Sequence, residues 1–111
     1  MAGHSFAPFL RAANKAPCAD QHIHTQLSSP NEVIISQLKR DDILQLEFLN
    51  EKQIIVGIFN GQIAGVILNR DILKLISCMQ QGFRFIAVVR QVRGGMCAIT
   101  IKTDKGGVDE G

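Results

Sequence analysis

The most regular hydrophobic pattern in the chain runs through "IIVGIFNGQIAGVI", residues 54–67. It reads as two strands joined by Asn60-Gly61, a dipeptide suited to a type I′ turn because both central residues of that turn need positive φ. A two-residue loop fixes the register. Phe59 should face Gln62, Ile58 face Ile63, Gly57 face Ala64, Val56 face Gly65, and Ile55 face Val66. Both faces of this hairpin are then apolar, which predicts cover on two sides. Gly57 and Gly65 leave room for close approach of another segment.

Upstream, "ILQLEFL" (43–49) alternates, with Leu44, Leu46 and Phe48 on one side and Gln45 and Glu47 on the other, the period of a half-buried strand. The β-branched run "EVIISQL" (32–38) predicts a first strand, and "KRDD" (39–42) a charged, solvated turn. After the hairpin the period changes. Ile72, Leu73, Ile76 and Met79 recur at helical spacing, with Asn69 as expected N-cap, Asp71 in the first turn and Gly82 as the stop. One capping helix is therefore expected near 70–81. "FRFIAVVRQVR", Gly94-Gly95 and "MCAITIKT" then form a second long hairpin.

The resulting order is β-β-β-β-α-β-β. It predicts a mainly β (α+β) fold: a small, partly closed β-barrel or bent antiparallel sheet capped by one helix. Residues 1–31, punctuated by Pro8, Pro17 and Pro30, read as an N-terminal arm. Residues 32–103 read as a single β-rich domain, and 104–111 as a polar tail.

Composition sharpens this picture at three points. Hydrophobic residues make up 46% of 111, and mean hydropathy is +0.13, high for so small a domain. Surplus apolar surface on the hairpin predicts a homo-oligomer, a dimer or larger, with Ile55 and Phe59 at the contact. No apolar run reaches the roughly 18 residues of a membrane span. Cys18, Cys78 and Cys97 are an odd set without metal-ligand spacing, so reduced thiols in a cytoplasmic protein are expected, with Cys78 and Cys97 acting as small hydrophobes.

Charge is the third point. The net value is only +2, yet no Asp or Glu occurs from Ile72 to Thr103, a window holding Lys74, Arg84, Arg90, Arg93 and Lys102. This basic pole suits phosphates, with Arg84 and Arg90 on one strand face about 20 Å apart at roughly 3.3 Å per residue. The same charges would equally serve as the wet face of a strand pair. Chemistry is otherwise sparse. No phosphate loop or nucleophile elbow is present, and Asp41-Asp42 lies in a charged turn, so a non-enzymatic protein without cofactor is expected. "CADQHIH" brings Cys18, His22 and His24 close in sequence, short of a full zinc ligand set.

The pieces "LQLEF", "NEKQIIVGIF", "QIAGVI", "RDILKLISCMQQG" and "FIAVVRQVRGG" together resemble a HIRAN domain over residues 43–101, 59 of the 111. That resemblance implies a small barrel that binds DNA ends, with aromatic side chains stacking on bases and an acid near the terminal hydroxyl. By position Glu51 matches the loop acid and Gln53 the loop amide. Tyr and Trp are absent, so stacking would fall to Phe83 or Phe85. The expected function is a nucleic-acid-binding module contacting DNA or RNA through Arg84, Arg90, Arg93 and Lys102. The alternative is an oligomeric interaction protein with no nucleic-acid role.

Overall fold

A computed structural model describes residues 18–104; residues 1–17 of the arm expected over 1–31, and residues 105–111 of the tail expected over 104–111, lie outside the described residues. The strands and helices that lie wholly within the described residues follow in the order β1 (His22–Ser28), α1 (Glu32–Ile35), β2 (Ile43–Leu49), β3 (Ile54–Phe59), β4 (Gln62–Ile67), α2 (Ile72–Gln80), β5 (Phe85–Arg93) and β6 (Met96–Thr103). All neighbours pair antiparallel, and the sheet closes on itself in the order β1-β4-β3-β2-β5-β6. The expected mainly β barrel is present, and it is fully closed.

Closure comes from a strand in the stretch read as arm. In β1, Ile23, Thr25 and Leu27 alternate with His22, His24 and Gln26, and only Leu27 is fully buried. With so few apolar residues the period of two carries little hydrophobic signal. β1 nevertheless pairs with β6 over five residues and with β4 over two, sealing the sheet. The domain therefore begins before residue 32.

"EVIISQL" is not the first strand. Asn31 Oδ1 accepts from the backbone N–H groups of Val33 (3.0 Å) and Ile34 (3.4 Å), which starts α1. Ile34, Ile35 and Leu38 are buried while Val33 is 67% exposed, a helical rather than an alternating pattern. The cap and the docking of Ile34 and Ile35 override β-propensity here.

The Asn60-Gly61 turn forms as expected, with φ of 52° and 79°. Phe59 faces Gln62 and Ile58 faces Ile63, but the register then slips: Gly57 faces Gly65, Val56 faces Val66 and Ile55 faces Ile67. Ala64 is the extra residue of a β-bulge. Its carbonyl accepts from the Asn31 N–H at 2.8 Å, so the bulge is also where α1 docks. A Cβ on Gly65 would lie 3.1 Å from Leu27 Cβ and 3.2 Å from the Ser28 carbonyl oxygen. One on Gly57 would lie 3.2 Å from Leu44 Cδ1. This paired glycine row is the room in which Leu27 and Leu44 meet.

Strand pairing decides which hairpin face is inside. Phe48 pairs with Ile55 and Leu46 with Gly57, so Ile55 joins the interior side of β2. Ile55 has no exposed surface, and Phe59 packs partly buried against the core. Ile55 is therefore not available for the expected oligomer contact, and Phe59 is only partly so. The barrel interior is filled by Leu44, Ile55, Ile67, Phe85, Ala87, Val89, Ile99 and Ile101, all at most 1% exposed, as in other small barrels.

Helix α2 lays Ile72, Leu75, Ile76 and Met79 on this core, while Leu73, expected on the same stripe, is 77% exposed. Asn69 acts two residues ahead of the N-cap: its Oδ1 accepts from the Asp71 N–H at 2.8 Å, and the N-cap position falls on Asp71. Gly82 at φ 103° ends the helix. Phe83 N–H donates to the Cys78 carbonyl and Gly82 N–H to the Met79 carbonyl, the two bonds of a Schellman stop.

Cys18 and Cys78 form a disulfide, which corrects the expectation of three reduced thiols. The bond ties the segment entering β1 to α2. Thr103 Oγ1 reinforces it by donating to the Cys18 carbonyl and accepting from the Gln21 N–H. Cys97 remains free and buried, and burial pushes its thiol pKa up.

Candidate nucleic-acid interface

The outer surface of β1, β6 and β5 carries the candidate site. Inward residues of β5 are Phe85, Ala87 and Val89, so Ile86, Val88 and Arg90 face out. At Arg90 the ladder slips. Val89 faces Ile99 and Gln91 faces Ala98, leaving Arg90 without a direct partner. A bulge of this kind turns two consecutive side chains to one side. Arg90 and Gln91 are accordingly both exposed, and the alternation resumes with Val92 packed on the core.

Arg90 is held in place. Its Nε–H donates to Thr100 Oγ1 at 3.0 Å, and His24 Nδ1 lies 2.9 Å from the same oxygen. Thr100 is 1% exposed, so this hydroxyl is a buried anchor beneath an exposed guanidinium. On the other side, Nη1 lies 3.9 Å from Asp41 Oδ1, with the two side chains 43% and 75% exposed. An ion pair so open and so long contributes little to stability.

Asp41 itself is fixed by its backbone. It adopts φ 77°, its N–H donates to the Val89 carbonyl at 2.7 Å, and Val89 N–H donates to the Asp42 carbonyl at 2.8 Å. Asp42 Oδ2 in turn accepts from the Lys39 N–H at 2.8 Å. The 39–42 turn is thus pinned against the middle of β5. Between turn and bulge lies an open groove of about 630 Å³ lined by Leu38, Arg40, Arg90, Gln91, Val92 and Ala98.

The residues expected to bind nucleic acid separate into groups. Arg90 lines the groove, and Arg93 is exposed three residues further along β5. Lys102 is half-buried on the outer side of β6, paired with His22. Arg84 lies ahead of β5, its carbonyl accepting from the Asp104 N–H, and half-buried Ile86 and Val88 separate it from Arg90 on that face. Phe85 is 1% exposed and Phe83 packs against the core. Phe48 and Phe59, like Phe83, are partly buried and pack against the core, and only Phe85 among the described phenylalanines is fully enclosed. Glu51 and Gln53 sit in the exposed β2–β3 turn, where Gln53 has φ 57° and its Nε2 donates to the Asn50 carbonyl (2.8 Å) and Oδ1 (3.2 Å). The loop amide thus holds its own turn, remote in the strand ladder from Arg90.

Three contributors were hidden in the sequence. Arg40 read as part of a solvated turn, and His22 and His24 as part of an arm. Pairing of His22 with Lys102 and of His24 with Thr100 brings both histidines to the basic face. Cys18, the third member of the histidine-rich stretch, is committed to its disulfide. Among the described residues no group of three His, Cys, Asp or Glu is placed to hold a metal ion.

Fold and face together define a small closed antiparallel barrel with an arginine-lined groove on its outer wall. No protein family, curated protein or solved structure matches the chain.

Proposed function

We propose that this barrel is a non-enzymatic nucleic-acid-binding module that holds phosphates along the β5–β6 face. The observation that carries the reading is the Arg40–Arg90 groove, where a bulge and a buried threonine present one guanidinium outward beside a second arginine. Guanidinium forks suit phosphate oxygens. Arg93 and Lys102 extend the basic surface on either side, and Arg84 extends it toward the far end of β5.

The HIRAN-like reading is kept as the frame of this proposal, with phosphate contacts rather than base stacking as its main support, because Phe85 is enclosed in the core and Phe83 is partly buried against it. Recognition then rests on the backbone of DNA or RNA and is insensitive to sequence. The Cys18–Cys78 disulfide favours an oxidising compartment over the cytoplasm. Among the described residues no helix is long and apolar enough to cross a membrane.

The test is a salt titration of labelled single-stranded and duplex DNA. Affinity should fall with salt at a log–log slope of roughly −0.7 per phosphate contact for single strands. Arg40→Ala with Arg90→Ala should shrink that slope by about one to two units and weaken all sequences alike. No binding at about 50 mM salt, where even non-specific binding persists, would reject the reading.

A second reading, a homodimer, is favoured by the outer face of β5, β2, β3 and β4. Ile86, Gln45, Ile58 and Ile63 form one cross-strand row there, with Val88 and Ile43 beside it. Ile43 and Ile63 are 49% and 47% exposed. This row replaces Ile55 and Phe59 as the surface on which an oligomer would form.

A further inference from the structure

We infer that the groove between the 39–42 turn and the β5 bulge is a discrete site for one phosphoryl-type anion, with the Asp41 carboxylate as its built-in competitor. The inference rests on the nucleic-acid reading above and makes it more specific: a single locked position, rather than diffuse positive charge, dominates binding.

The geometry separates these alternatives. Arg90 Nε is committed to Thr100 Oγ1, and that bond fixes the guanidinium plane. Arg90 lines the groove together with Arg40 and Gln91, and its Nη1 lies on the Asp41 side. Gln91 adds an amide donor, placed on the same side by the bulge. A guanidinium fixed at Nε is pre-organised as a fork, so less side-chain freedom is lost when an anion binds.

Asp41 Oδ1 lies 3.9 Å from Arg90 Nη1, too long for a hydrogen bond and near enough to compete for the same cation. Its N–H bond to the Val89 carbonyl, with the Asp42 carbonyl accepting from the Val89 N–H beside it, holds it there. Asp41 does not itself line the groove, but an anion that engages Arg90 Nη1 meets its carboxylate as a like charge. Both side chains of the pair are well exposed, so the water end of the Coulomb scale applies. Two unit charges about 4 Å apart then interact by about 1 kcal/mol, or about fivefold in affinity. The anion could be a phosphodiester of a bound strand or a free phosphoryl group, and the test separates the two sources.

The experiment records ¹H–¹⁵N spectra, including Arg Nε–H signals, during titration with inorganic pyrophosphate at constant ionic strength. A labelled single-stranded oligonucleotide is titrated in parallel. The wild type, Arg90→Lys and Asp41→Asn are compared. Arg90→Lys keeps the charge and removes the fork. Asp41→Asn keeps a residue that tolerates positive φ. The expected result is a saturable pyrophosphate response at the Gln91 amide signals, joined in the wild type and Asp41→Asn by the Arg90 Nε–H; the Gln91 response is lost in Arg90→Lys and its midpoint tightens about fivefold in Asp41→Asn. If pyrophosphate has no effect but the oligonucleotide shows the same pair of variant effects, the site is confirmed as one for phosphodiesters. If the oligonucleotide binds and Arg90→Lys matches the wild type, the discrete site is refuted while the nucleic-acid reading stands. If neither probe binds, both fall.

Discussion

Reducing the Cys18–Cys78 bond should remove a large share of the stability of this domain. The bridge closes a loop with a sequence separation of 60. On the chain-entropy account, a loop of that length restricts the unfolded chain by roughly 14 cal/mol/K, or about 4 kcal/mol at 25 °C. Domains of this size have only about 5–15 kcal/mol in total. The consequence is large: at about 4–8 °C per kcal/mol, Tm should drop by roughly 15–35 °C. The assay is urea unfolding followed by circular dichroism, with and without reductant, alongside the double variant Cys18→Ala with Cys78→Ala. Reduced wild type and double variant should unfold at similar, much lower midpoints. A thiol titration of the denatured, unreduced protein should find one reactive cysteine, Cys97. Three reactive thiols, or a midpoint that ignores reductant, would refute the reasoning.

Other expectations follow from particular positions. Gly61→Val places a β-branched residue at φ 79° with no atom within 4 Å of its Cβ, so the cost is purely conformational, about 1–3 kcal/mol in urea unfolding. Gly65→Ala should cost about 1–3 kcal/mol for a different reason, since its methyl meets Leu27 and the Ser28 carbonyl; a neutral result would mean that β1 gives way there. Burial raises the Cys97 pKa above its ordinary value of 9.0. The buried thiol thus holds its proton at a pH where the unfolded chain has lost it. Its contribution to stability is complete below about pH 9 and is lost as pH rises through the higher folded value. Cys97→Ala should flatten that alkaline decline in a stability–pH profile. On the dimer reading, sedimentation at micromolar concentration should give more than the 12.2 kDa monomer, and Ile43→Glu with Ile63→Glu should restore the monomer.

What was legible in the chain was whatever local periodicity and turn chemistry encode. Strands β2 to β6, the Asn60-Gly61 turn, helix α2 and its Gly82 stop all rest on residues within a few positions of one another. β1 was obscured because its neighbours in the sheet supply the apolar surface that its own sequence lacks. α1 was misread because Ile34 and Ile35 have β-propensity, while the Asn31 cap and the docking against the Ala64 bulge decide their conformation. The bulges at Ala64 and Arg90 are register events between two strands, and one strand alone carries no sign of them. For the same reason Arg90 was visible as a charge but not as a locked fork. Arg40, His22 and His24 join it only once the barrel is closed. The disulfide depends on two cysteines meeting across 60 positions of chain, a meeting that spacing does not encode.

The sealing strand also dictates a timetable. β1 is synthesised before the other described strands, yet its β6 partners lie 72 to 80 positions later, from Gln26 with Ala98 to His22 with Lys102. Such high contact order makes closure slow and places it late. Until β6 has left the ribosome, the two-residue pairing with β4 is the strand pairing left to β1. The nascent sheet meanwhile shows open edges, the form most exposed to pairing with other chains. Cys18 waits in the same way for Cys78, and the bond between them can form before β6 exists. A covalent tether made at that stage would keep the first strand beside the helix and shorten the search that finally shuts the barrel.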